Sequence, residues 1–162
     1  MGGEQLTASA IVRFSAELEA DSAAFYEELG RRLPEYEKIF SRFAQACLKT
    51  AKQVQRTYQE TVTDALETGF AFEGLRMEDY DVNLVLPGFR PDSGRDPGYD
   101  RLRALEQAMA LETTAGAFYE DVADRSSGLL ATIPRAFKRA ARTHRLRYEA
   151  LCSLARSEEG DG

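Results

Sequence analysis

The chain has 162 residues, 43% of them hydrophobic and 30% charged, with a formal net charge of −6. That length gives one domain, 1–162, room for a continuous core, and the composition is that of a globular chain. The acidic balance argues against a nucleic-acid footprint, and no apolar run approaches the ~20 residues that span a bilayer, so neither nucleic acid nor membrane is expected as a partner.

Ile11, Phe14, Leu18, Phe25 and Leu29 recur at three-to-four spacing and predict a first helix over about 7–30, capped by Thr7 or Ser9 and weakened at Gly30. Pro34 suits the first turn of a second helix over about 34–69, whose apolar positions run from Ile39 and Phe40 to Tyr58 and Ala65. Residues 70–97 break the pattern with prolines and glycines and are expected to form a long crossover. That segment is rich in apolar residues, among them Phe70, Phe72, Tyr80, Leu84 and Phe89. The reading preferred is packing along the bundle, with a partner-binding loop as the alternative. Periodicity returns in a third helix over about 98–126 and a fourth over about 130–157, and the tail 158–162 is expected to fray. The run PRAFKRAARTHRLR in the fourth helix interleaves cations with apolar residues and reads as a solvated face.

Two antiparallel hairpins joined by a long crossover make an all-α, ferritin-like four-helix bundle. An internal repeat accompanies that layout. ELEADSAAFYEE (from Glu17) and ALETTAGAFYED (from Ala110) lie 93 residues apart and share six of twelve positions. Each falls on the first helix of its hairpin, as duplication of a two-helix unit would place it.

Cys47 and Cys152 are isolated from each other, and the N-terminus lacks the pattern of a signal peptide, so a reducing, cytoplasmic setting is expected. Polar residues on the apolar stripes single out the candidate site. Glu112 lies within the stripe of the third helix, His144 (the chain's only histidine) at the centre of the fourth, and Cys47 and Thr50 on the face of Phe43 and Val54. Glu19, on the shoulder of the first helix, is the repeat partner of Glu112. Buried carboxylates are costly unless paired or metal-bound. Glu19, Glu112 and His144, with Cys47 as a fourth group, therefore read either as ligands to one metal ion or as a hydrogen-bonded cluster with Tyr26 and Tyr119.

The chain resembles the rubrerythrin-type ferritin-like proteins over about residues 10–70 and 100–155. Their unit has a Glu followed six residues on by Phe-Tyr, matched here by Glu19 with Phe25-Tyr26 and by Glu112 with Phe118-Tyr119. Their second helix leads from a Phe anchor into Glu-x-x-His, and two units bind two irons through four Glu and two His. Here the anchors Phe40 and Phe137 lead instead to Cys47-Leu-Lys-Thr50 and to His144-Arg-Leu-Arg147. A register shifted by three puts His144 at the His position and Ala141 at the Glu position. The resemblance implies descent from a di-iron oxidoreductase or ferroxidase, but most ligands are gone. The expectation is at most one bound iron or zinc ion, or none, and no efficient ferroxidase or peroxidase activity. Two other readings stand beside it. One is an iron-handling oxidoreductase whose site is completed across a homodimer or by Glu17, Glu60 or Glu149. The other is a non-catalytic interaction module. No substrate or catalytic residue is indicated.

Overall fold

The computed structural model describes residues 7–61, 72, 74–82, 97–126 and 132–160. Four long helices dominate them: α1 (Ala8–Arg32), α2 (Glu37–Thr61), α3 (Pro97–Arg125) and α4 (Thr132–Gly160), with short 3-10 turns at Pro34–Tyr36 and Met77–Tyr80. No described helix is long and apolar enough to cross a membrane.

The ends of these helices follow local chemistry. The Thr7 hydroxyl accepts from Ala10 N–H at 3.1 Å and caps α1, satisfying one of the orphan donors of its first turn. The helix runs two residues past the expected end at Gly30. Its stop is Pro34, which disfavours a helical conformation at Leu33. Arg31 and Arg32 in the last turn sit where the helix dipole favours cations, and both pair with Glu28. Pro34 opens the 3-10 turn, and α2 proper starts at Glu37. Its expected extension to residue 69 lies outside the described residues.

Residues 161–162 lie outside the described residues; α4 continues to Gly160, into the 158–162 tail where fraying is expected. Glu158 is the reason, since it accepts from Arg101 Nε at 3.0 Å and from the Tyr36 hydroxyl, tying the last turn to α3 and to the turn before α2. Tertiary bonds of this kind hold a helix end that its own sequence would leave loose.

Within each hairpin the helices pack along their length, α1 on α2 and α3 on α4, and the hairpins meet through α2 with α4 and α1 with α3. Ser15 and Glu19 of α1 bond to Tyr119 of α3, while Tyr26 of α1 bonds to Glu112. Rising residue number on α1 thus meets falling number on α3, and those two helices are antiparallel. The same reasoning makes α2 and α4 antiparallel, because Arg147 reaches Cys47 while Val54 shares a shallow trough with Ala136 and Ala140. The order is up, down, down, up, which requires one connection running the length of the bundle.

Part of that connection is described. Phe72, Leu75 and Val82 are buried. The Tyr80 ring meets Phe118 edge-on at 5.8 Å, and its hydroxyl donates to Asp121 at 2.7 Å. Gly74 adopts φ +88°, and a Cβ there would lie 3.0 Å from the Arg125 guanidinium, so glycine suits both the backbone and the space. Gly74 and Tyr80 thus lie against α3, while Phe72 lines a pocket with residues of α1, α2 and α4, so the described part of the connection packs along the bundle, the preferred sequence reading. Phe70, Leu84, Val85, Leu86 and Phe89 lie outside the described residues.

The core is aromatic at its centre and mirrors the repeat. Phe25 packs edge-on against Tyr26 at 5.5 Å and Phe118 against Tyr119 at 5.0 Å. Tyr26 stacks on Phe40 of α2 at 5.8 Å, and Tyr119 on Phe137 of α4 at 6.2 Å. These stacks favour matching Phe40 with Phe137 in the internal register. Seven residues on, Cys47 corresponds to His144, and ten residues on, Thr50 corresponds to Arg147.

Candidate functional site

Each helix contributes to one buried polar cluster at mid-bundle. α1 supplies Glu19, Ser15 and Tyr26; α2 supplies Cys47; α3 supplies Glu112 and Tyr119; α4 supplies His144 and Arg147. Glu19, Glu112, His144 and both tyrosines are within 1% of complete burial, and Arg147 is 4% exposed. The structure brings all four sequence candidates, Glu19, Glu112, His144 and Cys47, to this place.

His144 bridges the two carboxylates. Its Nδ1 lies 2.5 Å from Glu112 Oε1 and its Nε2 lies 2.8 Å from Glu19 Oε2. With both carboxylates ionised each ring nitrogen donates, and the ring is then an imidazolium. Burial disfavours that charge, but Glu19 and Glu112 outweigh it and raise the imidazole to about 9. Burial pushes Glu112 upward, yet His144 and then Arg147 prevail and hold it below the usual carboxylate range.

The tyrosines cross the repeat. Tyr119 donates to Glu19 Oε2 at 2.6 Å and also meets Ser15 Oγ at 2.7 Å. Tyr26 donates to Glu112 Oε2. Each unit's tyrosine therefore bonds to the glutamate of the other unit. Burial, then the adjacent carboxylate, raises both phenols well above their usual range and keeps them as donors. The Tyr119 ring also stacks on His144 at 5.4 Å with an interplanar angle of 18°, placing the π-face beside the cation.

Arg147 is the residue the sequence reading did not place in the site. Its Nη1 donates to Cys47 Sγ at 3.0 Å and approaches Glu112 Oε2 at 3.4 Å, and its guanidinium lies 5.6 Å from the Phe43 ring centroid. Burial works against its charge, but Glu112 more than compensates. A signal was available: Arg147 lies three residues after His144 and so on the same helix face. Burial raises the Cys47 thiol far above its usual range, so it is a neutral thiol rather than a thiolate.

The charges close within the cluster, two carboxylates against an imidazolium and a guanidinium. Such closure is what makes four buried ionisable groups tolerable. Glu19 Oε1 and Arg147 Nη2 are the cluster's buried polar atoms without a protein partner.

In this arrangement the donor set offers a metal ion no free imidazole nitrogen or thiolate. Both imidazole nitrogens are protonated and committed to carboxylates, the thiol is neutral, and a guanidinium stands beside Glu112. A ligand must offer a free lone pair, and thiol and imidazole must be deprotonated to do so. Among the described residues no group of three or more His, Cys, Asp or Glu side chains is arranged to hold a metal. Nor does either described reserve acid, Glu17 or Glu149, complete one. Glu17 and Glu149 are exposed, and the Glu60 side chain lies outside the described residues.

Comparisons of the chain with protein-family models, with curated proteins and with solved structures found no match.

Proposed function

We propose that the protein is a rubrerythrin-related, ferritin-like bundle in which an internal ion-pair network has replaced the di-iron centre, leaving a non-catalytic helical module with at most weak binding of a single metal ion. The observation that carries this reading is the His144 imidazolium bridging Glu19 and Glu112, with Arg147 as the second cation. Two buried cationic side chains take over the charge-balancing work that metal ions do between carboxylates. The ancestry rests on the repeated Glu-to-Phe-Tyr phrase, on the up-down-down-up order, and on the tyrosines that cross between the two units. Iron chemistry of the di-iron kind needs several carboxylates free to bridge two cations. Here the two that remain are already neutralised by protein groups.

The test is anaerobic Fe(II) titration of the protein purified without added metal, followed by exposure to air. The expected result is less than one iron retained per chain after desalting and no rapid oxygen-dependent absorbance change. Two tightly held irons per chain with fast oxidation would contradict the proposal.

A further inference from the structure

The total charge of −6 hides a segregation that appears only once the helices are placed side by side. From Lys38 to Gln59, α2 carries Lys38, Arg42, Lys49, Lys52 and Arg56 and no acid. From Ile133 to Tyr148, α4 has Arg135, Lys138, Arg139, Arg142 and Arg145 on its surface, again with no acid. All ten are exposed. At 100° per residue the α2 cations all fall within ~40° of the direction opposite Cys47, forming a single outward stripe.

The two stripes share one face of the bundle, because α2 and α4 are antiparallel neighbours. Thr50, Gln53 and Thr57 of α2 and Ala136, Arg139 and Ala140 of α4 line the shallow trough between them. From Arg42 to Arg56 the face runs about 21 Å at the helical rise per residue. Arg145 pairs with Glu120 at the α3 edge, but none of the other nine has an ion pair among the described residues. On α1 and α3, Arg31, Arg32, Arg101 and Arg125 are paired with acids, and Arg13 and Arg103 are the cations there without an ion pair among the described residues. The exposed acids Glu17, Glu27, Glu106 and Asp124 likewise sit on α1 and α3.

We infer that the α2–α4 face binds the phosphate backbone of duplex nucleic acid without reading its sequence. A second copy docking through the same face would oppose like charges. Protein interfaces draw on aromatic and apolar anchors and are depleted in lysine, and among the described residues the exposed large hydrophobics beside these cations are two single leucines, Leu48 (44% exposed) and Leu146 (55%), on different helices. The lack of an apolar stripe likewise disfavours insertion at a membrane surface. No exposed aromatic side chain stands on α2 or α4 to stack the bases of a single strand. Two rows of cations, all but Arg145 without an ion pair among the described residues, flank a trough with threonine hydroxyls and a glutamine amide and match regularly spaced phosphates. The acidic helices α1 and α3 would then face away from the duplex.

Fluorescence anisotropy with a labelled 25-base-pair DNA of arbitrary sequence tests this. The result expected is binding at 50 mM salt that is independent of base sequence and weakens by about 100-fold or more at 200 mM salt. Lys49→Glu with Arg142→Glu, both exposed and unpaired, should weaken binding at least tenfold and lower the salt slope by about 2. Arg13→Glu with Arg31→Glu on α1 makes the same change in net charge and should leave binding within twofold. Circular dichroism would verify that each variant keeps its helices. No binding at 50 mM salt would overturn the inference, as would equal loss in the two double variants. Tighter binding to phosphatidylserine vesicles or to polyglutamate than to the duplex would overturn it as well.

Discussion

Truncating His144 would leave Glu19 and Glu112 in the core with Arg147 as their one cation. Breaking a buried ion pair by removing one partner typically costs about 3–5 kcal/mol, because the remaining charge is stranded. His144→Leu is therefore expected to lower unfolding free energy by about that much, measured by urea denaturation. Adding Glu19→Gln and Glu112→Gln to that variant should recover part of the loss, since the desolvated charges go with the imidazole.

The same residue sets a pH dependence. The His144 imidazole is raised from its ordinary 6.5 to about 9 in the folded protein. Its stabilisation is fully present below about pH 6.5 and is lost as pH rises through about 9. Glu112 is depressed from 4.5, so its contribution is present above that value and falls away in acid. Stability should thus peak at about pH 5–6 and fall by roughly 3 kcal/mol toward pH 9, read from urea midpoints across the range. His144→Leu should flatten the alkaline limb. Wild-type stability that rises between pH 6.5 and 9 would contradict this.

Among the elements, the crossed tyrosines join one hairpin to the other. Tyr26 lies on α1 and bonds to Glu112 of α3, while Tyr119 of α3 bonds to Glu19 of α1. Hydrogen bonds to charged groups contribute about 1.5–3 kcal/mol, so Tyr26→Phe and Tyr119→Phe should each destabilise by roughly that amount. A double-mutant cycle of Tyr26→Phe with Glu112→Gln should give a coupling energy above about 1 kcal/mol, whereas the cycle of Tyr26→Phe with the exposed Glu17→Gln should give none. Equal coupling in both cycles would mean that Tyr26 acts by packing alone.

The helices were largely legible because a 3.6-residue apolar period survives along each of them, and the repeat located Glu19, which the stripe alone left ambiguous. Their ends were less so. The last turn of α4 depends on Glu158 meeting Arg101 and Tyr36, contacts made across the fold rather than along the chain. The sequence shows Arg147 only as the residue standing at the family's His position, not as part of the site, because a buried guanidinium is explained only by what surrounds it. Its face was readable from spacing, but its partners Glu112 and Cys47 come from two other helices. For the internal register, open in the sequence, ring geometry favours matching Phe40 with Phe137, since both stack on their hairpin's tyrosine while Phe43 meets Tyr26 edge-on.

For the whole molecule, charge is balanced inside and segregated outside. The interior holds two carboxylates and two cations, while the surface sets basic α2 and α4 against acidic α1 and α3. A sequence-averaged charge blurs both arrangements, since it counts Glu19 with Glu17 and Arg147 with Arg142. The central claim is that protein cations, not a metal, neutralise the buried glutamates. Because His144 is the only histidine, nitrogen-15 NMR of the imidazole reports on it without ambiguity. The account predicts that both ring nitrogens are protonated at pH 7, that the ring titrates near 9, and that one equivalent of Zn(II) or Fe(II) leaves the signal in place. A neutral ring at pH 7, shifted by one equivalent of metal, would contradict it.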